Sequence, residues 1–280
     1  MGEKKQYGVL SAESQKENGP FEKRNRRVLV FSIGAGNESH GTALSSNIDD
    51  YAAIKIATDI AMKLGLTYVG HLPYSSDRAG PIAKDWNPGY IPKKVLLRMM
   101  IADLKRAICV HSKFGNEPSH VIVISGHGGN NFLKEEEVSL GEELGIPFRY
   151  VPPFQGFIRI KSKKHDRIQM THADDGEHSV GLYLGLLDKR KLRMINGVAK
   201  KNPEEALRQN PAIMGLGYYV LPDLSGKKYE GLRTRHKELV DAALKFVKTD
   251  RKIIADYDVG KQLMEENIKS AIKQVRRTLR

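Results

Sequence analysis

The sequence predicts an α/β fold of three layers (α/β/α), in which helices cover both faces of a mostly parallel central sheet. Segments 27–33 and 121–124 are nearly continuous runs of β-branched and large apolar residues, the pattern of strands that are enclosed on two faces. Amphipathic helical patterns alternate with these runs, as they do where crossover helices join parallel strands. With 280 residues, 40% of them hydrophobic, the chain can bury a substantial core. Residues 1–25 are polar without a lasting period, so we expect a flexible N-terminal arm there and a single domain at 26–280.

The first strand and its helix are followed by a second strand. The strand at 27–33 leads through a polar loop to a helix that Asp49 and Asp50 cap and Gly65 stops. The next strand spans 66–73. This order of elements is typical of the start of a parallel sheet.

A long loop at 74–91, rich in Ser, Asp, Gly and Pro, separates this strand from the second helix. Loops of this length inside a compact domain are often functional. Pro92 opens the helix, whose apolar stripe consists of Val95, Leu96, Met99, Met100, Leu104 and Ile108. The chain's single cysteine, Cys109, lies in this helix, and we expect it to be a small core residue rather than a nucleophile.

The second half of the chain continues the alternation. The strand at 121–124 is followed by a glycine-rich turn and a helix, and another strand spans 148–151. We expect a further helix at 180–187, whereas 189–210 is basic and irregular, with weak helix signals. The C-terminal segment is helical, with an apolar stripe formed by Met264, Ile268, Ala271, Ile272 and Val275.

The formal charge of +13, from 46 basic and 33 acidic residues, favours an anionic partner such as a nucleic acid, an anionic lipid surface or a phosphorylated substrate. Solubility and basic ends, at 23–27 and 276–280, explain part of this excess. Nucleic acid is not an expected partner, because RNP-type aromatic patterns, zinc-finger spacing and helix-turn-helix punctuation are absent from the sequence. No membrane partner is expected either, since no apolar run approaches about 18 residues. The charged start of the sequence at 1–5 leads into no apolar region of the kind a secretion signal has, so no such signal is expected. The single cysteine fits a cytoplasmic protein.

Two polar clusters follow the two most apolar strand segments. Glu38, His40 and Asp49 come after the first, and a Ser-Gly-His-Gly-Gly-Asn turn containing His127 comes after the second. Ligands collect outside the carboxyl ends of strands in open α/β sheets. Carboxylates and imidazoles hold water-activating divalent cations, and one carboxylate can bridge two cations about 3.5–4 Å apart. Glu-x-His alone is also the pattern of a surface pair, but together the clusters predict a metal-dependent active site.

A third polar cluster precedes the predicted helix at 180–187. Glu177 is expected to complete the metal shell or to act as an acid/base group, and His172 to polarise or protonate a leaving group. For Asp175 and Ser179, helix capping is the favoured interpretation. The sequence contains no Gly-x-Ser-x-Gly elbow, so we do not expect a side-chain nucleophile.

These motifs together resemble the creatininase family of metal-dependent amidohydrolases. The family's Gly-Ser-x-Glu-x-His-Gly segment corresponds to 34–41, followed by Asp49. Its Asn-Gly-His-Gly-Gly-Asn turn corresponds to 125–130, and its His-Ala-Gly-x-x-Glu-Thr-Ser segment to 172–179. The similarity covers about residues 27–190 and implies a creatininase-like fold and a homo-oligomer.

The resemblance also implies a two-metal site, in which Glu38 and His127 bind one ion, His40 binds the second and Asp49 bridges both. The resemblance implies Fe(II) as the metal, with Mn(II) or Zn(II) as possible substitutes, whereas the carboxylate and imidazole ligands suit all three and do not choose among them. Within the family the chain is most similar to formamide hydrolases of flavin and deazaflavin biosynthesis. Their substrate, a formylaminopyrimidine ribonucleotide monophosphate, implies a phosphorylated, pyrimidine-nucleotide-like small molecule as partner. Glu177 then supplies a negative charge that some members carry two residues after the histidine of the turn.

Several alternatives stay open at this point. The family's Leu-Pro-x-x-Thr-Asp sequence is not kept before Asp49, and Asp50 offers a competing register. Loop position alone makes Arg78, Lys84 or Arg167 candidates for holding a phosphate. The rival functions are hydrolysis of another cyclic or linear amide, metal-free binding of nucleotides or RNA through a basic surface, and an inactive member of the family.

Overall fold

The computed structural model describes residues 27–36, 38–76, 91–153, 158–159, 167–168, 172–202, 205 and 252–279. The expected arm at 1–25 and most of the loop at 74–91, with Arg78 and Lys84, lie outside these residues. Of Arg167 only the backbone is described. The single domain at 26–280 stays a prediction.

Strands and helices alternate along the described chain. The strands are β1 (Val28–Ile33), β2 (Thr67–Leu72), β3 (His120–Ser125), β4 (Phe148–Val151), β5 (Ile158–Arg159) and β6 (Arg167–Ile168). The helices are α1 (Ile48–Leu64), α2 (Lys93–Lys113), α3 (Glu137–Leu144), α4 (Asp175–Tyr183), α5 (Lys189–Lys201) and α6 (Tyr257–Thr278), and a 3-10 helix spans Gly128–Lys134. None of the helices in the described ranges has both the length and the apolar composition that a membrane crossing requires.

Within the described residues, β1 to β4 form a parallel sheet in the order β2-β1-β3-β4, and β5 pairs with β6 in a separate antiparallel ribbon. The two central strands, β1 and β3, are paired in register from Val28 opposite His120 to Ile33 opposite Ser125. Their carboxyl ends therefore lie side by side. The loop after β1 and the turn after β3 start at the same edge of the sheet.

Alternate residues of the central strands face opposite helical layers. Leu29, Phe31 and Ile33 pack in one core with apolar residues of α2 and α3. Val28 and Val30 pack in the other core with residues of α1 and α6. Helices thus cover both faces of the sheet, and the predicted three-layer fold is confirmed.

The expectation that Cys109 lies in the core is wrong, because its side chain is exposed. The buried residues of α2 are Leu96, Met100 and Leu104, which recur every four residues. Cys109 comes five positions after Leu104, which places it about 140° away around the helix axis. The apolar pattern of α2 is wider than the stripe that the helix buries, and Met99 is exposed for the same reason.

The segment that we expected to be irregular instead contains α5. The side chain of Asp188 accepts hydrogen bonds from the backbone N–H groups that begin this helix. The helix then buries Leu192, Ile195 and Ala199, a spacing that forms one helical face. Its many basic residues hide this short apolar stripe in the sequence.

Candidate metal centre

The loop after β1 carries Glu38 and His40 into the interior, where both side chains are fully or almost fully buried. The chain turns at Gly36, whose φ is +61°, and a Cβ there would lie 2.8 Å from the carbonyl oxygen of Pro73. Nδ1 of His40 lies 2.9 Å from the carbonyl oxygen of Glu38. Because a carbonyl accepts hydrogen bonds only, Nδ1 carries the proton and Nε2 offers a lone pair. That lone pair is what a metal ligand needs.

Asp49 and Asp50 both lie in the first turn of α1, and their carboxylates make different contacts. Oδ2 of Asp49 is 2.9 Å from Nδ1 of His127, and its Oδ1 is 3.8 Å from Nε2 of His40. Asp50 instead accepts a hydrogen bond from the N–H of Ala35 at 3.1 Å. Asp49 is therefore the carboxylate that joins the other polar side chains.

His127 is held at the end of β3 by Ser125. The hydroxyl of Ser125 donates to the carbonyl oxygen of His127 at 2.9 Å and accepts from its N–H at 3.1 Å. Gly126 lets this turn approach α1 very closely, since a Cβ there would lie 2.1 Å from the carbonyl oxygen of Asp49. The glycine thus brings His127 and Asp49 together.

Helix α4 begins earlier than expected, and its first turn aims Glu177 at His40. Asp174 caps the helix by accepting the N–H of Glu177 at 2.8 Å. Ala173 has φ +48°, in the left-handed region, and its N–H donates to Oε2 of Glu177. The same Oε2 lies 3.6 Å from Nε2 of His40.

His172 packs against His40, with ring centroids 4.4 Å apart, and its side chain is as deeply buried as those of Asp49 and Glu177, each 6% exposed. Its Nε2 lies 3.0 Å from the carbonyl oxygen of Ser39 and therefore donates to it. Nδ1 then faces Oε1 of Glu38 at 3.8 Å. His172 therefore turns Nδ1, the nitrogen that does not bond to the backbone of Ser39, toward the carboxylate of Glu38.

Asp175, Ser179 and His178 lie outside this group. Oδ1 of Asp175 accepts the N–H of Ile254, and the hydroxyl of Ser179 accepts the N–H of Asp256. The two side chains thus attach the segment before α6 to α4, whereas Asp174 is the capping residue. Burial lowers the pKa of His178 to about 4.

The structure brings all six predicted site residues together, namely Glu38, His40, Asp49, His127, His172 and Glu177. Ligand atoms of Glu38, Asp49 and His127 lie within 4.8 Å of one another, and so do those of His40, Asp49 and Glu177. Glu38, His40 and His172 form a third, overlapping group. Asp49 presents Oδ2 to the first group and Oδ1 to the second.

The chemistry of this cluster fits divalent cations. Both carboxylate oxygens of Glu38 and Nε2 of His40 are buried without an aligned hydrogen bond among the described residues, although Oε2 of Glu38 lies at an ion-pair distance of 3.1 Å from Nδ1 of His127. Burying charged or polar groups without partners costs several kcal/mol each. Cations between these atoms would remove that cost.

The pKa values of His127 and Glu177 show that the cluster favours added positive charge. Burial lowers the pKa of His127, but Glu38 and Asp49 outweigh burial and raise it to about 10. Burial and the charge of Asp49 raise the pKa of Glu177 well above its ordinary value. For His40, burial and the neighbouring His172 lower the pKa, which favours the neutral imidazole that binds metals.

The comparisons with known proteins agree with the sequence resemblance. No protein-family model matches the chain. Over 172 residues the chain is 26% identical to 2-amino-5-formylamino-6-ribosylaminopyrimidin-4(3H)-one 5'-monophosphate deformylase from Methanosphaera stadtmanae, covering 59% of this chain and 63% of that protein. The deformylase from Methanothermobacter thermautotrophicus is 26% identical over 177 residues, covering 59% and 62%. The matched region thus spans less than two thirds of these curated relatives.

Solved creatininase structures share the fold. A mutant creatininase complexed with creatine gives a TM-score of 0.52 at 17% identity, covering 92% of this chain and 94% of that chain. A manganese creatininase and a mutant in a Zn-Zn form each give a TM-score of 0.50, at 16% and 17% identity. The match to the manganese creatininase covers 94% of this chain and 96% of that chain, and the match to the Zn-Zn form covers 92% of this chain and 94% of that chain. The resemblance to the creatininase family is thus confirmed in the fold.

Proposed function

We propose that the chain is a metal-dependent amidohydrolase that cleaves the formamide of 2-amino-5-formylamino-6-ribosylaminopyrimidin-4(3H)-one 5'-monophosphate. The reaction yields formate and the diaminopyrimidine nucleotide, and it is a step of riboflavin and deazaflavin biosynthesis. The observation that carries the proposal is the pair of buried ligand groups that share Asp49. Sequence similarity to the deformylases supports the substrate, and the creatininase fold supports amide hydrolysis.

The proposed ligands divide into two sets. Glu38 and His127 would hold one ion and His40 and Glu177 the other, and Asp49 lies between the two sets with one oxygen toward each. We propose Fe(II) as the metal, with Mn(II) or Zn(II) as substitutes, and the manganese and Zn-Zn creatininases support the last two. When bound, such cations polarise a carbonyl oxygen and lower the pKa of water toward neutrality.

His172 is proposed to move the proton. Its Nε2 is occupied by the carbonyl of Ser39, so Nδ1 is the nitrogen that faces the cluster. Burial lowers the pKa of His172, which favours the neutral form that can accept a proton from water. The same Nδ1 can then return the proton to the departing amine. Glu177 fits a ligand better than a proton carrier, because the N–H of Ala173 fixes its Oε2, which lies 3.6 Å from the ligand atom Nε2 of His40.

The formal charge of +13 suits a substrate that carries a phosphate. The candidate phosphate-binding side chains Arg78, Lys84 and Arg167 lie outside the described side chains, so their role stays a proposal. A homo-oligomer, expected from the family resemblance, and a cytoplasmic location, expected from the single cysteine, are also proposals.

Formate release tests the proposed reaction. The purified chain, loaded without oxygen with Fe(II) or Mn(II), should convert the formylaminopyrimidine nucleotide to formate and the diaminopyrimidine product, followed by mass spectrometry. His172→Asn should lower kcat by roughly 100-fold while the metals stay bound, since general acid–base catalysis contributes about 10²–10⁴-fold. His111→Asn, on α2, serves as the matched control.

The outcomes separate the rival functions. Turnover of creatinine or another amide, with none of the formylaminopyrimidine, would replace the substrate and keep the amidohydrolase. Failure to release formate with any divalent cation would refute the deformylase assignment. A chain that binds no divalent cation would favour metal-free binding of nucleotides or RNA.

A further inference from the structure

Asp50, the second aspartate of α1, uses one oxygen of its own carboxylate for contacts that are separate from those of Asp49. Oδ1 accepts the N–H groups of Ala35 at 3.1 Å and Gly36 at 3.4 Å. It also lies 3.2 Å from Nε2 of His71, an ion-pair distance, although the two are not aligned as a hydrogen bond. Gly34 permits this approach, since a Cβ there would lie 1.7 Å from Oδ1. The carboxylate therefore fits against the backbone of the loop that follows β1.

His71 is oriented by the pairing of β1 with β2. Its Cα is the register partner of Ser32, and its Nδ1 lies 2.9 Å from the hydroxyl oxygen of Ser32. That oxygen is in turn 2.9 Å from the hydroxyl of Tyr68, whose pKa burial raises, so that the phenol keeps its proton. A lone pair on Nε2 would face the Asp50 carboxylate at 3.2 Å, so the neutral ring is favoured with its proton on Nε2; Nδ1 then accepts from Ser32, and Ser32 accepts from Tyr68. The proton on Nε2 thus faces the carboxylate.

The same loop is held from the opposite side by the turn after β3. The side-chain amide of Asn130 donates to the carbonyl oxygen of Gly34 at 2.8 Å. The N–H of Gly126 donates to the carbonyl oxygen of Ile33 at 3.0 Å. Four residues beyond Gly34 the chain reaches Glu38. The path of the loop into the cluster is thus fixed by contacts on both sides.

We infer that Asp50, held by His71, is a positioning residue that fixes the loop carrying Glu38 into the proposed metal centre. This inference rests on the proposed metal-dependent function. The adjacent aspartates then have separate tasks, since Asp49 contacts the ligand atoms and Asp50 contacts the backbone that presents one of them. Residues that orient metal ligands typically change metal affinity by about 10–100-fold when they are replaced.

The test compares Mn(II) affinity across variants of the full chain, by competition with a chelator. Asp50→Ala and His71→Leu should weaken Mn(II) binding about 10–100-fold, whereas His71→Gln, which keeps a donor near Asp50, should stay within about threefold of the wild type. Asp59→Asn is the matched control, because Asp59 lies on α1 and pairs with Lys55 at 2.7 Å. Its affinity should not change. Thermal unfolding of each metal-free variant shows whether folding is affected.

Each outcome decides the inference. Wild-type affinity in both Asp50→Ala and His71→Leu would overturn it and leave the proposed function intact. A lower unfolding midpoint with unchanged Mn(II) affinity would show a purely structural role and would also overturn it. If His71→Gln weakens Mn(II) binding as much as His71→Leu does, the polar contact of residue 71 with Asp50 does not hold the loop, and the role inferred for His71 is overturned. If the wild-type chain binds no Mn(II), Fe(II) or Zn(II), the proposed function fails, and the inference fails with it.

Discussion

The close approach of β3 to α1 makes Gly126→Ala a sharp test of how the site is assembled. A Cβ at position 126 would lie 2.1 Å from the carbonyl oxygen of Asp49 and 3.0 Å from the backbone nitrogen of Ala53. Both are backbone atoms, so no side-chain rotation relieves the overlap. Either the turn after β3 or the first turn of α1 must move by about 1.3 Å for the Cβ to reach ordinary contact distance.

The cost of this movement can be estimated. Overpacking of a well-packed interior costs about 1–3 kcal/mol, which lowers the thermal midpoint of a chain of this size by roughly 2–10 °C. Asp49 moves with its turn and loses its 2.9 Å contact with Nδ1 of His127. Metal affinity should therefore fall together with stability.

Thermal unfolding with and without Mn(II) measures both effects. A metal at about 100 times its Kd stabilises a folded chain by about 2.7 kcal/mol, so the wild-type midpoint should rise on addition of Mn(II). Gly126→Ala should lower the midpoint and lose most of that rise. The control is Gly128→Ala, where a Cβ meets nothing within 4 Å and both values should be kept. A wild-type midpoint and a wild-type metal response in Gly126→Ala would refute the packing argument.

Metal binding should strengthen as the pH rises, because the pKa of His127 is raised to about 10 and a proton must leave before the imidazole binds a cation. Mn(II) affinity should increase about tenfold per pH unit between pH 6 and 8 for each proton displaced, and calorimetry that finds no pH dependence would contradict this. Asp256→Ala removes the side chain that accepts the N–H groups of Asp258 and Val259 at the start of α6. Urea unfolding should show a loss of about 1 kcal/mol with unchanged metal content, and a change of metal content would contradict the separation of α6 from the site. Cys109 should react rapidly with a thiol reagent in the folded protein, and reaction only after unfolding would mean that α2 has another orientation.

The fold and the site cluster could be predicted because their signals are local and reinforce one another. Apolar runs at 27–33 and 121–124 identify the two central strands, and polar residues directly after them must lie at the carboxyl edge of a parallel sheet. The structure places Glu38 and His127 at that edge, with Nδ1 of His127 3.1 Å from Oε2 of Glu38. Neither result depends on the details of packing.

Features that depend on helix phase or on contacts across the sheet could not be predicted. Adjacent aspartates give the same signal, and only the rotation of α1 against the loop decides that Asp49 enters the cluster. The apolar pattern of α2 is too wide to show that Cys109 is exposed. The contacts of His71 with Ser32 depend on strand register, and the only signal in the sequence was a histidine inside an apolar strand.

Elemental analysis of protein purified without oxygen tests the central claim most directly. The arrangement of Glu38, His40, Asp49, His127 and Glu177 predicts about two divalent cations per chain, and Glu38→Gln should reduce that number. A wild-type chain that carries no divalent cation, and whose thermal midpoint does not rise with Fe(II), Mn(II) or Zn(II), would contradict it.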